Sequence, residues 1–222
     1  MESRDMTLSL AFSPNNLPVQ LVLASTSLTI LIVIGVVLLL LVIWLVSIYN
    51  GLVRKRQSCK ESWADIDAEL KRRHDLVPNL VNTVKGYAAH ESGVLEEVTR
   101  LRNEAVGDKD NNLENRGRIE SQLGAGVGKL LARAEAYPDL KASANFVALQ
   151  KELSETETRI ERARRFYNSN VRMFQNGCQV IPSSIIAGIG GFASSEFEFF
   201  KLDDPGEAAA IDVDFDAGAS GS

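Results

Sequence analysis

Titratable side chains crowd into one stretch, RRHDLVPNLVNTVKGYAAHE, residues 72–91, which holds His74, His90, Asp75, Lys85, Tyr87 and Glu91. Metal-assisted or nucleophilic chemistry would need such groups in pairs at helix spacing, or beside an activated hydroxyl or thiol. Neither arrangement occurs. The two histidines stand sixteen residues apart, and no serine or cysteine accompanies them at an informative spacing. The carboxylates Asp65, Asp67 and Glu69, or Glu152, Glu155, Glu157 and Glu161, can resemble ligands of a bundle metal site. Such sites use Glu-x-x-His pairs, and neither histidine lies three residues after a glutamate. Ion pairing with the arginines of RIERARR, residues 159–165, is the better account. Cys59 and Cys178 are too few and too far apart for a zinc site or a disulfide framework. They read as small buried or half-buried side chains, with lipidation of a membrane-proximal Cys59 as the lesser alternative. No catalytic residue, cofactor or metal is expected.

The elements that position these groups are helices. Trp63, Ile66, Leu70, Val77, Leu80, Val81, Val84, Ala88, Leu95, Val98 and Leu101 recur at intervals of three and four, which predicts one long amphipathic helix ending near GDKDNN, residues 107–112. On it, Pro78 lacks the N–H that would reach the carbonyl of His74, so a kink or local rewinding is expected, with Asp75 capping the restarted helix. A second helix, residues 113–136, carries Gly117, Gly124, Gly126 and Gly128. Each glycine costs about 1 kcal/mol relative to alanine, so this helix is either the least stable or the most closely packed. AYPDLKAS, residues 136–143, is a turn. A third long stripe, Phe146, Leu149, Leu153, Ile160, Ala163, Tyr167, Val171, Phe174 and Cys178, is interrupted only by Thr156 and Glu157 and should run antiparallel to the first. Strand alternation is nowhere sustained and no Gly-rich phosphate loop follows a strand.

The stretch Leu21 to Tyr49 contains no charged residue over 29 positions, and about 20 suffice to cross a bilayer. A cleaved signal peptide would carry its positive charge before a shorter apolar region. Here Arg54, Lys55, Arg56 and Lys60 follow the run and only Arg4 precedes it. The reading is therefore a retained single-pass anchor in the cell (inner, cytoplasmic) membrane, N-terminus outside and C-terminus in the cytoplasm, with Trp44 and Tyr49 at the interface.

The net charge of −5 conceals an uneven distribution, because from Ala193 onwards eight acids face Lys201 alone. The end reads as a solvated, disordered acidic tail, with AGASGS as a possible remnant. No concentrated basic face exists for nucleic acid, and nothing implies a small-molecule substrate. IPSSIIAGIGGF, residues 181–192, is apolar but too short to span. It either folds back over the end of the bundle, the preferred reading, or touches the membrane surface.

RRHDLVPNLVNTVKGYAAHE, AEAYPDLKASANFVALQKELSETETRIERARRFYN and IPSSIIAGIGGF stand in an order and at separations that resemble the hallmark segments of the LemA family, from about Tyr49 to Phe192. The resemblance implies an N-terminal membrane helix, a cytoplasmic helical bundle, and no established enzymatic activity. A magnetosome-membrane relative in that family suggests a link to membrane organisation. It also implies a shared polar set: Arg73, Asp75, Pro78, Asn79, Lys85, Tyr87, His90 and Glu91 in the first helix, Tyr137, Pro138, Asp139 and Lys141 at the turn, and Glu157, Arg164, Tyr167 and Asn168 in the last. These read as interhelical contacts, with Asp75 or Glu157 set against an arginine of the opposite helix. The chain departs from the family in carrying histidine at position 74, in lacking a second Tyr-Asn pair, and in its glycine-rich middle helix.

The expected architecture is thus all-α. It comprises a short external tail (1–20), a transmembrane anchor (21–50), an antiparallel bundle of three to four helices (51–192) and an acidic tail (193–222). The expected function is that of a non-enzymatic scaffold, partnered by the lipid bilayer, by copies of itself and by some membrane protein. The competing reading is an adaptor or sensor that docks a signalling or quality-control partner through the bundle, EFEFF (196–200) and the acidic tail. A hydrolase built within the bundle would require a bound metal.

Overall fold

In the computed structural model, residues 17–88, 90–107 and 112–202 are described. Residues 1–16 of the expected external tail, most of the GDKDNN turn, and the acidic tail with AGASGS from residue 203 lie outside them. All secondary structure among the described residues is helical.

One helix, α1 (Leu17–Lys85), carries both the membrane segment and the first wall of the bundle. From Ser25 to Trp44 every residue is exposed, whichever way it points. A helix apolar all round needs an apolar surrounding, and this segment anchors the chain to a membrane. Beyond Tyr49 the pattern changes to a single buried stripe of Leu52, Cys59, Ile66, Leu70, Val77, Leu80 and Val84, which is what a helix with one dry face requires.

The expected continuation to residue 107 is corrected. α1 ends at Lys85, the chain turns over residues 86–88 and 90–91, and α2 (Ser92–Gly107) runs back beside it, so that Arg102 reaches the backbone of His74. The physical reason is burial. A straight helix would carry Leu95, Val98 and Leu101 beyond the ends of its neighbours, whereas the hairpin buries all three.

α3 (Leu113–Ala134) opens on Asn112, whose side-chain Oδ1 accepts hydrogen bonds from the backbone N–H groups of Glu114 and Asn115. A single turn, α4 (Pro138–Lys141), leads to α5 (Ala144–Gln179), which returns the whole length of the bundle. Contacts of Arg73 with Glu157, Glu69 with Arg159 and Ser58 with Asn170 set α5 antiparallel to α1. α6 (Ser183–Gly190) then lies across the membrane-proximal end, followed by a 3-10 turn at Ser194–Glu196.

The glycines of α3 mark close packing rather than weakness. A Cβ on Gly117 would meet the carbonyl oxygen of Lys201, and one on Gly126 would stand 3.2 Å from Leu101. Gly128 faces open space.

The bundle does not stop at Phe192 as expected. Residues 197–202 lie along α5 as a strap. Phe200 is fully buried, with its ring edge-on to Trp63 at 5.3 Å, and Phe197 meets Phe174 in the same way at 5.3 Å. EFEFF is therefore folded into the bundle, and docking to a partner would require it to leave that position.

Candidate functional site: a buried ionic layer

The core consists of two apolar clusters stacked along the bundle. The membrane-proximal one runs through Leu52, Cys59, Ile66, Leu70, Ile160, Tyr167 and Phe174. The distal one runs through Val77, Leu80, Val98, Leu101, Leu123, Val127 and Leu153. Between them, where α1 passes from Leu70 to Val77 and α5 from Leu153 to Ile160, the inward positions are Arg73 and Thr156, both buried.

Arg73 sends Nη1 to the Glu157 carboxylate, 2.9 and 3.1 Å from its two oxygens. Its Nη2 donates to Glu120, both to the carboxylate and, at 3.1 Å, to the backbone carbonyl. The other oxygen of Glu120 lies 2.9 Å from His74 Nε2. Four side chains thus join α1, α3 and α5, and Arg102 of α2 completes the ring through the carbonyl of His74. Arg73, His74 and Glu120 are buried, while Glu157 is 43 % exposed and forms the outer edge.

Burial would raise the Glu120 carboxyl, but the His74 hydrogen bond and the Arg73 charge outweigh it and hold the group below its ordinary value. For Arg73, burial works against the charge, yet Glu157 and Glu120 together keep its pKa above the ordinary value. The layer is an ion-paired unit whose buried charges balance internally.

Its contacts are interhelical. Among the cavities on the surface of the described residues is one of about 820 Å³ beside Lys60, Trp63, Asn112 and Tyr167, and Arg73, His74 and Glu120 do not line it. The acidic runs are dispersed onto arginines: Asp67 to Arg116, Glu69 to Arg159 and Glu161 to Arg165. Among the described residues no three His, Cys, Asp or Glu side chains gather where they could hold a metal ion. Cys59 is completely buried, and burial, with a smaller contribution from Glu196, pushes its thiol up to about 11. That environment gives neither access nor thiolate for lipidation.

The residues carried by the family resemblance divide into three places. Arg73 and Glu157 belong to the ionic layer. Glu91 and Tyr137 meet at the distal end, where the phenol donates across 3.5 Å to the carboxylate, and Pro138 opens α4. Tyr167 and Asn168 hold the strap: the phenol donates to the Glu198 carbonyl at 3.0 Å, and Asn168 both donates to the Phe200 carbonyl at 3.0 Å and accepts from its N–H at 2.9 Å. Burial, with smaller contributions from Cys59 and Glu198, raises the Tyr167 phenol to about 12. Arg164 is half-buried beside these, while Asp75, Asn79, Lys85, Tyr87, His90, Asp139 and Lys141 are exposed.

Asp75 caps nothing, because α1 continues through Pro78. His74, Glu120 and Arg102 were not singled out by spacing. The signal available was register: Glu120 stands three residues before Leu123 and seven before Val127, and Arg73 stands between Leu70 and Val77, both on buried stripes. A charge on a dry stripe calls for a partner on another helix.

The sequence profile of the LemA family matches residues 62–215. Protein LemA of Metamycoplasma hominis is 27 % identical over 163 residues, covering 69 % of this chain and 73 % of that protein. The magnetosome protein MamQ of Magnetospirillum gryphiswaldense is 24 % identical over 204 residues, 81 % of this chain and 72 % of its own. A MamQ of Paramagnetospirillum magneticum is 24 % identical over 173 residues, 67 % of this chain and 64 % of its own. With a family match over most of its length and the bundle and membrane helix described above, the chain belongs to the LemA family.

Proposed function

We propose that this protein is a non-enzymatic, membrane-anchored scaffold that assembles with copies of itself and organises the membrane, or membrane proteins, around it, with its bundle on the cytoplasmic side. The observation that carries this reading is the continuity of α1, a 69-residue helix that is membrane segment and bundle wall at once. At about 1.5 Å per residue it is roughly 100 Å long and transmits the bundle's orientation directly to the membrane. The magnetosome relatives support a membrane role. Self-association has a candidate face: Phe166 and Met173, seven residues apart on the outer side of α5, are 58 and 48 % exposed, and Val180, just past its end, is 59 % exposed. Confinement of tethered chains to one surface raises their effective concentration.

The test is the size and shape of the full-length protein in mild detergent and in nanodiscs, by mass photometry and electron microscopy. Regular particles larger than a dimer, lost on Phe166→Ser with Met173→Ser, are expected. A strict monomer in both environments overturns self-assembly.

A further inference from the structure

Two exposed isoleucines share one face of a short helix where the chain meets the membrane. α6 buries Ala187 and holds Phe192, just beyond its end, against the bundle. Ile185 and Ile189, two residues to either side of Ala187, point about 160° away from it around the helix. They are 60 and 83 % exposed, and Ile181, two residues before α6 begins, is 77 % exposed.

The height of this helix along α1 is given by its contacts. A Cβ on Gly190 would stand 3.0 Å from the Tyr49 ring, and the Phe192 ring meets Tyr49 edge-on at 5.5 Å. Near the end of α5, Gly177 lies against Leu52 and Lys55. α6 therefore sits beside the last residue of the charge-free run, where α1 leaves the membrane. That run of 29 residues is about 43 Å long, against a hydrocarbon core of about 30 Å, so its end reaches into the interfacial zone. Arg54 and Lys55, exposed within the next two turns, stand at the height of the lipid headgroups.

We propose that α6 is an interfacial foot: its outer face, Ile185 and Ile189, together with the exposed Ile181 just ahead of the helix, inserts into the headgroup–acyl boundary of the membrane that α1 spans. A short helix with one apolar face against protein and another facing outward at this height meets the requirements of an in-plane amphipathic segment. A second copy of the chain fits less well, because at this height, beside the end of the span, lipid already surrounds the helix. The foot would fix the rotation of the bundle about α1, which α1 alone leaves free. The inference rests on membrane anchoring by α1 and is independent of self-assembly.

The test uses the full-length protein in nanodiscs, with the photoreactive amino acid benzoylphenylalanine placed singly at 185, 189, 40 and 147. Leu40 lies in the span, and Val147, 51 % exposed, lies at the far end of the bundle. All four side chains are exposed, so the probe does not disturb the core. Mass spectrometry of irradiated protein should find lipid adducts at 185 and 189 within a few-fold of those at 40 and at least ten-fold above those at 147. Adducts at the level of 147 overturn the foot, as do cross-links to a second chain in place of lipid, which would make this face a contact between copies. Absence of adducts at 40 overturns the anchoring on which the proposal rests. Particle size plays no part in this readout, so the scaffold reading stands or falls separately.

Discussion

Arg102 Nε donates a 3.1 Å hydrogen bond to the carbonyl oxygen of His74, the acceptor that Pro78, four residues later, has no N–H to reach. α1 therefore continues as helix through its proline, because a side chain from the neighbouring α2 supplies the missing donor. The cost of an interior proline, about 3 kcal/mol when nothing compensates, is reduced by a tertiary contact.

The two residues should be energetically coupled. Arg102→Gln leaves the His74 carbonyl unsatisfied and should cost about 1–2 kcal/mol. In a Pro78→Ala background the helix recovers its own donor, and the same Arg102→Gln change should cost no more than about 0.5 kcal/mol. A double-mutant cycle on the unfolding of the detergent-solubilised protein measures the difference. Equal costs in both backgrounds would show that Arg102 does not serve that carbonyl.

Within the ionic layer the order of effects follows burial. Arg73→Met strands Glu120 in the core and should cost about 3–5 kcal/mol. Glu157→Ala removes a carboxylate that is 43 % exposed and should cost only about 1 kcal/mol, a fall of a few degrees in thermal midpoint. A variant series in which Glu157→Ala is the more damaging change would contradict the burial order. The layer's benefit is specificity. Sliding α5 along α1 by one repeat would set Arg73 against Leu153 or Ile160, which fixes register more than it adds net stability.

Acid should loosen the bundle through Glu120. Its carboxyl is held below the ordinary value of 4.5 chiefly against burial, by the His74 hydrogen bond and the Arg73 charge. As pH falls through about 4.5 the unfolded chain takes up this proton first, so the contribution is complete above that pH and is lost progressively below it. Glu120→Gln should be less stable at neutral pH and should show a shallower loss between about pH 5 and 3. An acid limb of identical slope in both proteins would assign the loss to other carboxylates.

Two glycines of the same helix should respond with opposite sign. Gly128→Ala meets nothing within 4 Å and should stabilise by up to about 1 kcal/mol. Gly117→Ala drives a methyl group into the Lys201 carbonyl and should release the strap. Hydrogen exchange at Phe200, whose N–H is held by Asn168 at 2.9 Å, reads this directly. Protection unchanged in the Gly117 variant would mean that the strap has room to move aside.

The membrane segment, the all-helical class, the antiparallel first and last helices and the LemA resemblance were legible in the sequence. They rest on local composition and on periodicity, which a single chain displays without its partners. The turn after Lys85 was not legible, because the apolar spacing carries on across it. What broke the helix was the gain from folding Leu95, Val98 and Leu101 onto neighbours, a term that exists only once the other helices are present. Arg73 and Glu120 showed themselves as charges on dry stripes, but which charge meets which depends on the rotation and register of three helices. EFEFF looked like tail because alternation of acids and phenylalanines says nothing of a groove. Its place was decided by Gly117, which leaves room for the Lys201 backbone, and by Asn168, whose amide makes the two hydrogen bonds that a neighbouring strand would otherwise make.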